Sequence, residues 1–260
     1  MTLDTWKTTT LEAYLEAHQP PALTVFQHIP KTAGSSLVAE MNRHIGHYTP
    51  IEIDYNDPDP DVHQRVNKAV ARFLDAWTPE ETRCTSGHIF REQVEQILAR
   101  VPDVGLFTFL RSPVARFVSD YRYQCTVDHP GHEDFLRRFP TIEHYLDATY
   151  EMNKMCRYLI GKDVAVEDGI AFVERNFHFV GIQEMYPMSF NILMRLQGVD
   201  ALPTERVRQT KAIAQNEVAL SDTLVEEILA RNAKDAALYD HFHKLLLSRR
   251  DQWREMIGAN

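Results

Sequence analysis

The sequence predicts an α/β fold, a parallel sheet flanked by helices, with a largely helical C-terminal half. Three observations predict it. Strand-like runs near 23–26, 83–86, 104–110 and 177–181 alternate with segments of helical periodicity. Residues 104–110 are almost continuously apolar, as a central strand covered on both faces must be. From about residue 140 onward the chain reads mainly as helices. Strands alternating with helices imply parallel pairing through right-handed crossovers.

The elements follow in order. Residues 9–18 suit a short amphipathic helix, closed by Pro20 and Pro21. Leu23-Thr24-Val25-Phe26 reads as a buried strand. A turn-rich loop, 29–36, comes next, and Leu37, Val38, Met41 and Ile45 then recur at helical spacing. Residues 50–61 carry five acids, three prolines and no basic residue, the composition of a solvated loop. A helix is expected at 62–76, then a short strand ending in Gly87-His88, then a helix at 91–100. Arg111 and Ser112 end the strand at 104–110. Pro113 suits the first turn of the next helix, whose apolar face is Val114, Phe117, Val118 and Tyr121. The remaining helices are expected at 140–148, 151–160, 165–175, 184–197 and 221–249. Ligands of such sheets bind beyond the carboxyl ends of the strands, where Lys31 and Arg111 would meet.

Bulk properties narrow the function. At 44% hydrophobic and 25% charged, the 260 residues suit an ordinary globular protein of one large or two small domains. No apolar run approaches the roughly 20 residues that span a bilayer. The N-terminus lacks the basic start and apolar stretch of a signal peptide, so a cytoplasmic protein is expected. Twenty-eight basic against 37 acidic residues give −9. This argues against a dedicated nucleic-acid binder and weakly against a polyanionic acceptor, yet is compatible with a local basic pocket. Cys84, Cys125 and Cys156 form no CxxC pair and read as inert buried thiols.

The loop after the first strand has the parts of an anion cradle. Gly34 permits close backbone approach. The amides that follow open a helix, whose dipole favours an anion. Ser35 and Ser36 add hydroxyls, and Lys31 adds a mobile point charge. A simple capped turn is the competing reading of this loop taken alone. A Walker A loop would place Lys after the last Gly; here Lys31 precedes Gly34, so the common ATP or GTP motif is absent.

The run His28-Ile29-Pro30-Lys31-Thr32-Ala33-Gly34-Ser35-Ser36-Leu37 closely resembles the 5′-phosphosulfate loop of sulfotransferases that use 3′-phosphoadenosine-5′-phosphosulfate (PAPS). The match is to the branch holding carbohydrate sulfotransferases, such as the heparan sulfate 2-O type, and many bacterial relatives. The resemblance implies a P-loop-like sheet. It assigns Lys31 to the phosphosulfate and its bridging oxygen, and Thr32, Ala33, Gly34, Ser35 and Ser36 to holding the phosphate. Ala33 stands where Gly is more usual.

Residues 107–123 resemble the 3′-phosphate segment of the same family, with Arg111 at the strand end and Ser119 eight residues on. Arg can fork onto a phosphate, although eight helical residues span about 12 Å, so it must stretch. The two segments occur together in the family's order. Arg116 and Arg122 read as surface or ion-pair residues.

Ser86-Gly87-His88 lies between the two phosphate segments. Many members have Gly-His near the acceptor, and a neutral imidazole can take a hydroxyl proton. His88 is therefore the first candidate base and His28 the second. Ser86 replaces a His of some relatives. Asn153 and Arg157 resemble a segment near acceptor or donor and are candidate substrate contacts.

The resemblance spans about 24–243. It implies one sulfotransferase domain over 1–260, with an N-terminal helical extension (1–21), a donor-binding core (22–125) and a mostly helical acceptor side (126–260). It further implies sulfuryl transfer from PAPS to an acceptor hydroxyl, release of 3′-phosphoadenosine-5′-phosphate (PAP) and no metal. A sugar, glycolipid or small metabolite is the expected acceptor, with no nucleic-acid partner. A kinase-like phosphoryl transferase and a non-catalytic PAP-binding protein stay open as other classes.

Overall fold

The computed structural model describes residues 1–204 and 216–258. Four strands, β1 (Leu23–Gln27), β2 (Cys84–Gly87), β3 (Val104–Leu110) and β4 (Phe177–Ile182), form one sheet in the order β2-β1-β3-β4. Each neighbouring pair is parallel. Every residue of β1, β2 and β3 is buried, which explains why these runs lack a polar alternation.

The helices before the second strand are α1 (Leu3–Trp6), α2 (Leu11–Ala17), α3 (Gly34–His44) and α4 (Val62–Ala76). Thr10 caps α2 by accepting from Ala13 N, and Asp61 caps α4 by accepting from His63 N. After β2 comes α5 (Arg91–Arg100), and after β3 comes α6 (Pro113–Gln124), with Pro113 in its first turn. Then follow α7 (His132–Arg138), α8 (Ile142–Tyr145), α9 (Lys154–Leu159) and α10 (Val166–Asn176), which leads into β4. The described C-terminal part adds α11 (Tyr186–Leu196), α12 (Asp222–Arg231), α13 (Ala233–Leu247) and α14 (Arg250–Met256). No described helix is long and apolar enough to cross a membrane.

The strand order places the site. From β1 the chain goes to β2 on one side, then returns to β3 on the other. Connections leaving β1 and β3 therefore diverge, and a crevice opens beyond their carboxyl ends. Lys31 follows β1 and Arg111 follows β3, so both stand at this switch point. The main core wraps the sheet. A second core packs the apolar face of α6 (Phe117, Val118 and Tyr121) against α7, α8 and α12. Burying that face leaves another face of α6 to meet the crevice.

Several elements differ from the sequence reading. The expected helix at 221–249 breaks at Asn232, whose φ of −112 and ψ of 34 separate α12 from α13. Its amide side chain explains the break: Oδ1 accepts from Asn153 N at 2.9 Å, and Nδ2 donates to Ile228 O at 2.9 Å. The expected helix at 140–148 shrinks to α8 followed by a 3-10 turn at Thr149–Glu151. Helix α9 starts at Lys154 because Asn153 is left-handed, at φ 49. Short α1 and α7 were not expected. Arg116, read as a surface or ion-pair residue, is an ion-pair residue and is fully buried: Nη1 lies 3.7 Å from the Glu151 carboxylate, and Nη2 donates to Glu151 O at 3.0 Å. The three cysteines are buried and unpaired, and burial pushes the Cys84 thiol up to about 12.

Candidate active site

One cleft of about 1440 Å³ opens at the switch point. Lys31, Ala33, Gly34, Ser35 and Ser36 line it from the loop after β1. Arg111 and Ser119 line it from the tip of β3 and from α6, and His28 and His88 line it as well. The two anion-binding segments read from the sequence therefore share a cavity. They are also joined directly, since Arg111 Nη1 donates to the Lys31 carbonyl at 3.2 Å.

The loop after β1 is tightly turned. Lys31 and Ala33 both occupy the left-handed region, at φ 71 and 76, which costs a non-glycine residue on the order of 1 kcal/mol. Thr32 differs from its expected role. Its hydroxyl is buried and donates to Ile29 O at 2.9 Å, closing the turn rather than facing the cleft. Ala33 is the N-cap of α3 and supplies no side-chain acceptor to the first turn. An anion would complement those amides and the helix dipole. Gly34 is required for another reason: a Cβ there would fall 1.7 Å from His28 Nε2. The imidazole of His28 thus occupies the space a side chain would take.

Positive charge gathers at the other segment. Burial pushes the Arg111 guanidinium down; Glu184 opposes this, and the smaller effects of Arg116 and Arg122 add to it. Arg111 and Arg122 both line the cleft, and cations in a partly buried cleft favour an anionic ligand. Glu184 also anchors the start of α6, accepting from Ser112 N at 2.9 Å. Asp120 lines the cleft too. It is buried, and its carboxylate accepts from Tyr145 Oη at 2.7 Å and from Gln124 Nε2 at 3.0 Å.

His88 belongs to a run of rings. Phe107 stacks on Phe26 with centroids 5.4 Å apart, Phe26 on His28 at 5.2 Å, and His28 lies 4.3 Å from His88. Nδ1 of His88 sits 2.8 Å from the carbonyl oxygen of His28. A carbonyl only accepts, so Nδ1 carries the proton, and Nε2 of the neutral ring keeps a lone pair. Burial lowers the His88 pKa, the His28 bond raises it and Lys154 lowers it; the net shift is downward. His28 is held well below its ordinary value, by burial first and then by His88 and Lys31. Ser86, which stands where some relatives have His, instead pairs with Tyr48 Oη at 2.7 Å.

Neither Asn153 nor Arg157 lines the cleft. Asn153 Oδ1 accepts from the amides of Lys234 and Asp235 at 3.0 and 3.1 Å, capping α13. Asp235 returns the cap, accepting from Met155 N and Cys156 N on α9. Arg157 donates to Thr149 O at 3.3 Å. Both residues serve the packing of α9 in this arrangement.

The sequence reading missed Tyr123 as a site residue. Tyr123 lines the cleft, and its ring lies under the Lys31 ammonium, 4.0 Å from centroid to Nζ. The signal was present: Ala115, Ser119 and Tyr123 recur every fourth position, on one face of α6. The pair Val127 and Leu220, exposed at the edge of the cleft, carried no periodic signal. Among the described residues no group of three or more His, Cys, Asp or Glu could hold a metal ion.

Comparisons with known proteins bear on the fold and the family. A crystal structure of a sulfotransferase from Alicyclobacillus acidocaldarius is similar in fold, with a TM-score of 0.52 and 17% identity. The alignment covers 91% of this chain and 99% of that one. No match is found among curated proteins. Residues 20–159, more than half of the chain and the stretch holding both the Lys31 loop and the Arg111–Ser119 segment, match the sulfotransferase family. The chain belongs to the sulfotransferase family.

Proposed function

We propose that the protein transfers a sulfuryl group from PAPS to an acceptor hydroxyl and releases PAP. The observation that carries this reading is the shared cleft, in which the Lys31 loop and the Arg111–Ser119 segment are tied by the Arg111–Lys31 hydrogen bond. Lys31 from one segment and Arg111 from the other, in one cavity, suit a nucleotide that carries phosphates at two positions. The volume exceeds the roughly 300–1,000 Å³ of a typical small-ligand pocket, which leaves room for an acceptor beside the donor.

In this reading Lys31 and the first amides of α3 hold the 5′-phosphosulfate, with Ala33, Gly34, Ser35 and Ser36 around it. Thr32 contributes through the turn it closes. Arg111 and Ser119 hold the 3′-phosphate. The acceptor oxygen attacks sulfur while the bond from sulfur to the bridging oxygen breaks. Its proton passes to Nε2 of His88, and PAP leaves carrying the negative charge. That charge develops beside Lys31, so the ammonium stabilises the transition state more than the ground state. His28 supports the base through its carbonyl. The donor core is assigned to 22–125 and the acceptor side to 126–260. Resemblance of the Lys31 loop to the carbohydrate branch supports a sugar, glycolipid or small-metabolite acceptor.

The test is release of PAP from PAPS across a panel of sugar, glycolipid and small alcohol acceptors, for wild type and Lys31→Ala. Wild type should yield a sulfated product. Lys31→Ala should lose about a hundredfold or more in turnover at an unchanged melting temperature. Normal turnover in the variant, or transfer of a phosphoryl group instead, would contradict the assignment.

A further inference from the structure

The Lys31 main chain is fixed, and its ammonium has an aromatic ring beside it. Its backbone is turned at φ 71, and its carbonyl is held by Arg111. Its Nζ lies over the ring of Tyr123, 4.0 Å from the centroid, well inside the roughly 6 Å at which a ring face attracts a cation. Tyr123 stands one turn beyond Ser119 on α6, and both line the cleft. The ring is itself braced: His129 meets it edge-on, with centroids 5.5 Å apart and planes at 82°. One helix face thus presents both Ser119 and a seat for the lysine of the neighbouring loop.

This arrangement matters because a lysine stem is flexible and its ammonium is a point charge. A cation that must be ordered during the reaction stabilises developing charge less than one already in place. We propose that Tyr123 is a positioning residue, whose ring face holds the Lys31 ammonium at the anion loop, ready for charge developing on the leaving phosphate oxygen. The inference rests on the sulfuryl-transfer reading above. The contact runs through the ring face and not the hydroxyl, so phenylalanine serves in its place and leucine does not.

The experiment compares wild type, Tyr123→Phe and Tyr123→Leu by three readouts. The first is PAP affinity by calorimetry. The second is single-turnover PAP release from PAPS. The third is the NMR signal of Lys31 after 13C-dimethylation of lysines, assigned with Lys31→Arg. The Leu variant should release PAP roughly threefold to thirtyfold more slowly, with PAP affinity falling by less than the rate. It should also lose the upfield ring-current shift of the Lys31 methyl groups. The Phe variant should keep both rate and shift. The proposal is overturned if Leu turns over like wild type, if Phe is as slow as Leu, or if no Lys31 shift exists in wild type. Failure of wild type itself to bind PAP or to release it from PAPS sinks the donor reading, and this inference with it.

Discussion

Arg111 Nη1 donates to the main-chain carbonyl of Lys31 at 3.2 Å, joining the tip of β3 to the loop after β1. The bond ties together the two segments that this account assigns to opposite ends of one nucleotide. A side chain that must reach a 3′-phosphate is thereby braced on the loop that would hold the 5′ end. The consequences are open to measurement.

Arg111→Lys should weaken PAP binding by about tenfold or more, because an ammonium replaces a fork that can grip phosphate with two bonds. Adenosine 5′-monophosphate, which lacks the 3′-phosphate, should lose little. Calorimetry with both ligands checks this. An equal loss for both would place Arg111 elsewhere on the ligand.

The rate of sulfuryl transfer should depend on pH through His88. Its pKa lies below the ordinary 6.5, chiefly through burial. The neutral ring is the base, so the rate should be level near neutrality and fall as acid protonates Nε2, through a pKa under 6.5. His88→Asn should lower turnover by about a hundredfold or more and abolish this acid limb. A pH–rate profile of both proteins checks it, and an unchanged limb in the variant would remove His88 from the role of base.

Ala33→Gly should stabilise the fold by about 0.5–1 kcal/mol. At φ 76 alanine pays a steric cost that glycine does not, partly offset by the greater freedom of glycine in the unfolded chain. Urea unfolding reads the difference. A lower midpoint would show that the Ala33 methyl packs favourably despite its conformation.

Asn153→Ala should cost about 2 kcal/mol or more, through lost caps on α13 and a left-handed φ that alanine tolerates poorly. PAP affinity of the folded variant should not change. A selective loss of ligand affinity at full stability would restore Asn153 to the site.

The N-terminal half of the fold was legible because its signals are local. Buried strands at 23–26 and 104–110, Pro113 opening a helix and the polar loops after each strand are written in consecutive residues. The Lys31 and Arg111 segments were legible for the same reason. Partnerships between distant residues were not. Asn153 reads as a substrate contact from the resemblance of its segment, and nothing nearby in sequence discloses Asp235 and Asn232 as its partners. Arg116 reads as a surface or ion-pair residue; its burial and its ion partner, Glu151, 35 positions on, are not disclosed by its neighbours in sequence. Tyr123 was hidden in a helix face whose meaning appears only when the neighbouring loop folds over it.

Calorimetric titration of wild-type protein with PAP, in the presence of a chelator of divalent cations, tests the shared nucleotide cleft most directly. The account predicts one site with a dissociation constant of roughly micromolar order, weakened by Arg111→Lys. No heat of binding, or binding that appears only when magnesium is added, would contradict it.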